Sequence, residues 1–180
     1  MKRILVLPGW MTTIKLYKNS SHGFDICIGK LNKESDPNDY IVGVSLGALV
    51  VLRDINKIEG KIILVNPPLP KRNLFVWFML WLKYVMTEGL FLERQKFTIN
   101  PIKFGLELIR CIGLLNIDFS KVLGTLPRDK IVIIRGKKDR FFCDDKAVKF
   151  ILSKNIKFVE FNGGHNLSEE MEKTISNLMV

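Results

Sequence analysis

The segment Gly43–Gly47 has the pattern Gly-x-Ser-x-Gly, and its surroundings restrict the fold more than any other feature of the sequence. A short β-prone run, Tyr40–Val42, precedes it, and the run Ala48–Arg53 after it, apolar up to Leu52, suits a buried helix. A turn this tight strains the backbone of the central serine and lifts its hydroxyl clear of the sheet. The glycines are needed because a β-carbon at either place would clash with the strand or the helix. The pattern therefore predicts that Ser45 is a nucleophile.

A nucleophilic serine needs a base, and the position of the two histidines in the sequence decides between them. Where the serine stands on a strand-to-helix turn, the carboxylate and then the histidine follow it along the chain. His22 precedes Ser45 and is out of order. His165 lies in a glycine-rich loop directly after the β-prone run Lys157–Phe161 and ahead of the last predicted helix. We therefore predict that His165 is the base.

The carboxylate that orients the base is expected after the preceding strand. Lys130–Arg135 is predicted to form that strand, and Asp139 follows it closely. Asp144 and Asp145 are alternatives, although they stand where the next helix should begin and are typical of N-terminal capping residues. Because basic residues surround Asp139, a surface ion pair is the structural alternative there. Asp139 is the predicted third member of the triad.

Acyl transfer also needs hydrogen-bond donors for the oxyanion. One is expected to be the backbone N–H of Leu46, the residue after the nucleophile. The other is expected from the loop after the first predicted strand, Arg3–Leu7, where Gly9 lets the chain pass close to the site. This favours the N–H of Trp10 as the second donor. The alternative is that Pro-Gly merely ends a strand.

In order along the chain, the Gly9-Trp10 loop, the Gly43–Gly47 turn, Gly136-x-x-Asp139 and Gly164-His165 make the sequence resemble the α/β-hydrolase superfamily. Within it, the stretch from Leu7 to Trp10 and the small and apolar residues after Ser45 resemble the pimeloyl-[acyl-carrier protein] methyl ester esterases. The resemblance implies an α/β-hydrolase fold. It also implies hydrolysis of a carboxylic ester through an acyl-enzyme, with no metal or organic cofactor.

The arrangement of predicted elements suits one α/β domain over residues 1–180. Apolar runs without alternation are typical of parallel strands covered on both faces. We expect a mostly parallel six-stranded sheet with helices on both faces and a helical cap inserted at about 67–124. The predicted strands are Arg3–Leu7, Phe24–Ile28, Tyr40–Val42, Lys61–Val65, Lys130–Arg135 and Lys157–Phe161. The predicted helices are Thr12–Lys18, Ser45–Asn56, Lys146–Lys154 and Ser168–Leu178, with cap helices at Leu74–Leu82 and Ile102–Leu115.

The run Leu74–Leu82 is nine consecutive apolar residues, too short to cross a bilayer. It suits either a cap helix buried between the core and an acyl chain, which we favour, or a helix that dips into a membrane surface. Trp77, Phe78 and Trp81 in this run are candidates for substrate binding, as is Phe142 beside the predicted triad.

The formal net charge is +10, which indicates an acidic partner unless the composition is merely basic. An acidic acyl carrier protein that delivers an apolar acyl ester would account for both the charge and the apolar cap. A free small-molecule ester is the simpler substrate, and contact with an anionic membrane surface is the less favoured alternative. Nucleic acid is not expected, because no binding motif accompanies the charge.

Three widely spaced cysteines show neither metal-ligand nor disulfide spacing, which suits a reducing cytoplasm. The sequence therefore predicts a cytoplasmic serine esterase. An acyl thioesterase or acyltransferase with the same triad remains an alternative. So does a non-catalytic acyl-binding or membrane-associated protein of the same fold.

Overall fold

The computed structural model describes residues 3–9, 25–26, 35–89, 101–166 and 168–179, which contain one six-stranded sheet. All of its neighbouring strands are parallel, in the order β2-β1-β3-β4-β5-β6. The chain crosses over between these parallel neighbours, so the carboxyl ends of the strands meet at one edge. The strands are β1 Ile4–Leu7, β2 Asp25–Ile26, β3 Tyr40–Val44, β4 Lys61–Val65, β5 Ile131–Gly136 and β6 Lys157–Phe161.

Six α-helices lie in the described part of the chain. They are α1 Leu46–Arg53, α2 Leu74–Tyr84, α3 Pro101–Leu115, α4 Ser120–Thr125, α5 Asp145–Ser153 and α6 Glu169–Asn177. A 3-10 turn, Ile55–Lys57, follows α1, and a π-helical segment, Val85–Gly89, continues α2. None of the described helices has the length and apolarity needed to cross a membrane.

The predicted six-stranded parallel architecture is confirmed, and the strand ends differ from the expected ones by at most two residues. The helices predicted at Ser45–Asn56 and Ser168–Leu178 are also present, somewhat shorter at their ends, and the one predicted at Lys146–Lys154 begins and ends one residue earlier. The expected helix Thr12–Lys18 lies outside the described residues. Asp144 caps α5, as its position suggested, because its side chain accepts a hydrogen bond from the N–H of Ala147.

Both faces of the sheet are covered, which is why its strands are apolar without alternation. Ile62 and Leu64 of β4 pack into one buried cluster, together with α1 and α5. Ile63 and Val65 of the same strand point the other way, into a second cluster that includes Met171 of α6. Successive side chains of a strand point to opposite faces, so a strand covered on both sides must be apolar throughout.

Between β4 and β5, the described residues form three helices, α2, α3 and α4. The run Leu74–Leu82 does form a helix, but the expectation that the core and an acyl chain bury it is wrong for one side of α2. Trp77 is buried, whereas Phe75 and Phe78 are more than half exposed.

The start of α1 passes so close to the end of β1 that only glycine fits at position 47. A β-carbon there would lie 1.9 Å from the carbonyl oxygen of Leu7. That atom belongs to a strand paired on both sides, so it cannot move aside. At position 43, a β-carbon would lie 2.6 Å from the Cα of Ala48. The two glycines of the Gly-x-Ser-x-Gly pattern are therefore required by close approaches between backbone segments.

We expect Gly47→Ala to lower the free energy of unfolding by about 1–3 kcal/mol or more, which is the usual cost of overpacking. Urea denaturation measures this change. Gly113→Ala is the matched control, because Gly113 is helical and nothing lies within 4 Å of an added β-carbon. Alanine there should stabilise the protein by about 0.5–1 kcal/mol. Equal stability of Gly47→Ala and wild type would contradict the close approach.

Candidate active site

Ser45 stands at the turn between β3 and α1 in a strained backbone conformation, with φ 52° and ψ −120°. A non-glycine residue in this region costs about 1–3 kcal/mol, and such strain is concentrated at functional sites. The turn is held in place by its backbone, because the N–H of Ser45 donates to the carbonyl of Val65 at the end of β4, 2.8 Å away. The side chain of Ser45 remains partly exposed at the carboxyl edge of the sheet.

The structure brings the three predicted triad residues into one hydrogen-bonded chain. Nε2 of His165 lies 2.9 Å from Oγ of Ser45, and Nδ1 of His165 lies 2.6 Å from Oδ2 of Asp139. His165 and Asp139 are buried. The three residues follow β3, β5 and β6, so the parallel sheet delivers them to the same edge. With Nδ1–H donating to the carboxylate, Nε2 is free to accept the hydroxyl proton of the serine.

Asp139 is held as a carboxylate although it is fully buried. Burial alone would raise its pKa, but the electrostatic interaction and hydrogen bond with His165 and the backbone N–H groups of Phe141 and Phe142 keep the pKa below its ordinary value. The N–H groups of Phe141 and Phe142 donate to Oδ1 at 3.0 and 3.2 Å, and that of Cys143 donates to Oδ2 at 3.2 Å. The loop after β5 therefore wraps its backbone around this carboxylate.

Asp144 and Asp145, the alternatives for the carboxylate, are engaged elsewhere. Asp144 forms an ion pair with Arg72 in addition to capping α5. Asp145 is almost fully exposed and pairs with Arg135 at 3.0 Å. Arg135 also donates to the backbone carbonyl of Asp139 at 3.3 Å, so this ion pair supports the loop from outside.

Asn66 joins the two loops that carry Asp139 and His165, a connection that the sequence analysis missed. It follows β4, is fully buried and has a positive φ of 46°. Its Nδ2 donates to the carbonyl oxygens of Gly164 and His165, each at 3.1 Å, and its Oδ1 accepts from the N–H of Gly136 at 2.8 Å. A polar residue at the end of a buried strand, between the strands of Ser45 and Asp139, was the available signal.

Aromatic side chains from α2 and from the loop after β5 enclose His165. The ring centroid of Phe142 lies 4.6 Å from that of His165, and Tyr84 approaches the imidazole edge-on at 5.8 Å. The hydroxyl of Tyr84 donates to Oδ1 of Asn166, 2.5 Å away. The end of α2 therefore contacts both the imidazole and the residue that follows it.

The four candidate substrate-binding residues fall into two pairs. Trp77 is buried and stacks on Phe142, with ring centroids 6.5 Å apart, so this pair continues the aromatic wall beside His165. Phe78 and Trp81 form a second pair at 6.1 Å, and Phe78 is 52% exposed. The first pair therefore lies beside His165 of the triad.

The two expected oxyanion donors differ in what the structure shows. Leu46 is the first residue of α1, so its N–H lies at a helix N-terminus, where backbone donors have no partner within the helix. Trp10 lies outside the described residues. Within the described ranges, no group of three or more His, Cys, Asp or Glu side chains could hold a metal ion.

Solved structures share this architecture over almost the whole chain. An enol-lactonase from Burkholderia xenovorans has a TM-score of 0.60 at 14% sequence identity, over 99% of this chain and 92% of its own. The chain has the α/β-hydrolase fold. A thermophilic esterase from Thermogutta terrifontis shares the fold with a TM-score of 0.60 at 13% identity, over 99% of this chain and 88% of its own.

A further α/β-hydrolase of known structure is the thioesterase domain from the curacin biosynthetic pathway. Its TM-score is 0.57 at 15% identity, over 99% of this chain and 90% of its own. No protein-family model matches the sequence, and neither does any curated protein. These similarities establish the fold, while the site's chemistry is read from its own geometry.

Asn66→Asp should lower turnover by about tenfold to a hundredfold with little change in KM, because small displacements of a reacting group are costly. Aspartate keeps the shape of the side chain but cannot donate to the carbonyls of Gly164 and His165. Asn155→Asp is the matched control, since Asn155 also has a positive φ but is exposed. Measurement of kcat, KM and the pH profile for both variants tests this. A change in stability alone, with normal kcat and pH profile, would contradict a positioning role.

Asp139 should make unfolding sensitive to acid. Its pKa is below the ordinary 3.8 in the folded protein, so the unfolded chain takes up the proton first as the pH falls. The stability that Asp139 contributes is therefore fully present above about pH 4 and is lost as the pH falls through the lower folded pKa. Urea unfolding from pH 6 to pH 2.5 should show a weaker pH dependence in Asp139→Asn than in wild type. Identical slopes would contradict the lowered pKa.

Proposed function

We propose that the protein is a serine hydrolase that cleaves carboxylic esters through an acyl-enzyme. The single observation that carries the proposal is the hydrogen-bonded chain from Ser45 through His165 to Asp139, with the serine on a strained turn at the edge of the sheet. This geometry supplies a nucleophile, a base within reach of its proton and a carboxylate that orients the base.

In the proposed reaction, Nε2 of His165 takes the Ser45 proton as Oγ attacks the ester carbonyl. Asp139 holds the imidazole tautomer and stabilises the imidazolium that forms. His165 then passes the same proton to the leaving alcohol, and the acyl group stays bonded to Oγ of Ser45 as an acyl-enzyme. Water, deprotonated by His165, attacks the acyl carbon and releases the carboxylic acid and free Ser45.

The attack on the ester and the attack on the acyl-enzyme each form a tetrahedral intermediate. Its oxyanion would be held at the start of α1 in both cases. The N–H of Leu46 is the first proposed donor, and the positive end of the helix dipole adds to its effect. Trp10, in the loop after β1, is the second proposed donor. No metal or organic cofactor has a part in this reaction scheme.

The aromatic wall beside His165 favours an apolar acyl group. Trp77 and Phe142 stack there, next to the imidazole that would receive the serine proton. The esterase, enol-lactonase and thioesterase of the same fold support ester or thioester cleavage as the reaction class. We propose a small-molecule ester or a methyl ester carried by an acidic acyl carrier protein as substrate.

Ser45→Ala, His165→Ala and Asp139→Asn should each lower the hydrolysis of p-nitrophenyl acyl esters by about a thousandfold or more. The double variant of Ser45 and His165 should lose hardly more activity than either single variant, because the residues act as a unit. A fluorophosphonate probe should label wild type at Ser45. Ser153→Ala is the matched control, since its exposed hydroxyl contacts only the Phe150 carbonyl among the described residues.

Each contrary outcome has a distinct meaning. Full activity of His165→Ala would overturn the mechanism, whereas full activity of Asp139→Asn would overturn only the assignment of the carboxylate. A folded wild type that neither takes the probe nor cleaves any ester would indicate a non-catalytic acyl-binding protein. Faster turnover of acyl thioesters than of matched oxygen esters would assign the same triad to a thioesterase.

A further inference from the structure

Helix α2 has a bare apolar side, which we call the outer face. It consists of residues spaced three or four apart, so they share one side of the helix. Its exposed members are Phe75, Phe78, Met79 and, in the π-helical continuation, Met86, with the half-buried Leu82 between them. Phe75 is 69% exposed and Met86 is 65% exposed, with Phe78 and Met79 about half exposed. Soluble proteins seldom leave such a contiguous row of large apolar side chains in water unless something binds it.

The opposite side of α2 already has its packing partners. Trp77 packs on Phe142 and Tyr84 contacts His165, so this side lies against the candidate active site. The outer face is therefore not needed to fix the helix on the domain. It points away from the site while remaining one helix diameter from it, about 10 Å.

Positive charge flanks the outer face. No Asp or Glu occurs in the sequence between Glu59 and Glu88, a stretch that includes the whole of α2. Lys71, shortly before the start of the helix, and Lys83, near its end, are both exposed. Arg72 is neutralised by Asp144, and Asp118 lies within electrostatic range of Lys71. Lys83 and much of the charge of Lys71 are thus available to an anionic partner.

We propose that the outer face of α2 docks on the surface of an anionic lipid membrane. An interfacial helix combines apolar and aromatic side chains, which enter the boundary of the acyl chains, with basic side chains that meet the lipid phosphates. With 11 residues, α2 is about 16 Å long, which is too short to span the hydrocarbon core, so it lies along the surface. A second copy of the chain fits less well, because each copy carries a net charge of +10.

Docking through the outer face would hold the candidate active site beside the lipid surface. Apolar acyl esters collect at such a surface, so the helix would bring the aromatic wall close to its substrate. This consequence rests on the proposed function, whereas the docking itself does not. Binding is therefore measured without turnover, on the full chain and also on Ser45→Ala.

The test is co-sedimentation of the full chain with sucrose-loaded vesicles, either pure phosphatidylcholine or an equal mixture with phosphatidylglycerol. Wild type and Ser45→Ala should bind the anionic vesicles equally, at least about tenfold more strongly than the zwitterionic ones. Raising the salt from 0.05 to about 0.5 M should weaken binding, because the Debye length shortens from about 14 to 4 Å.

Two variants separate the apolar contribution from the charge, each with a matched control. Phe75→Ser with Met79→Ser should weaken vesicle binding by about tenfold or more, whereas Leu152→Ser, which changes a 56% exposed residue of α5, should not. Lys71→Glu with Lys83→Glu should also weaken it by about tenfold or more. Lys57→Glu with Lys149→Glu changes two other exposed lysines, so the protein has the same net charge as the first charge variant. This control should weaken vesicle binding much less.

Several results would overturn the proposal. Failure of wild type to sediment with anionic vesicles would do so, as would equal losses in each variant and its control. A dimer in sedimentation velocity that Phe75→Ser with Met79→Ser dissociates would assign the outer face to a second copy. Binding to an immobilised acidic acyl carrier protein, without vesicle binding, would assign it to a protein partner. Loss of esterase activity has no bearing on any of these outcomes.

Discussion

The parallel alignment of the strands is the constraint on which the rest of the structure depends. Because β3, β4, β5 and β6 all end at the same edge, the residues that follow them meet there although they are far apart in sequence. Ser45 follows β3, Asp139 follows β5 and His165 follows β6. Their hydrogen bonds need no long loop, only strands of matched length and tight connections at that edge.

Burial of a charge determines how the edge is built. Asp139 has no contact with solvent, so its carboxylate must be stabilised by protein groups in place of water. Three backbone N–H groups and His165 do this, which requires the loop after β5 to close tightly around the side chain. Asn66 fastens the same loop to the one that carries His165. A fully satisfied buried polar network of this kind is rigid, and rigidity is what a preorganised site requires.

Helix α2 connects this site to the surface of the molecule. Its inner side supplies Trp77 and Tyr84 to the aromatic surroundings of His165, while Phe75 and Phe78 face solvent. An ordinary surface helix has polar side chains on its outer side. Here that side is apolar with lysines near both ends, so the composition of α2 reflects two different environments, the protein interior and the proposed lipid surface.

The sequence by itself determined the strands and the strained turn that carries Ser45, the proposed nucleophile. Apolar runs such as Tyr40–Val42 predict parallel strands because both faces of the sheet exclude water, and the glycines around Ser45 are required by local close approaches. The order of Ser45, Asp139 and His165 was readable for the same reason, since each directly follows a recognisable strand.

Only the tertiary structure decided which groups meet across the edge and which sides of a helix are covered. In the sequence Asn66 is recognisable only as a polar residue at the end of a buried strand. Its bonds to Gly136 and His165 are not predictable from that, because hydrogen bonds between loops depend on strand order and register. The run Leu74–Leu82 looked uniformly apolar and was expected to be buried, yet Phe75 faces solvent. The local sequence pattern shows whether each residue prefers water or an apolar environment. Whether a residue is buried depends on which elements pack against its helix or strand.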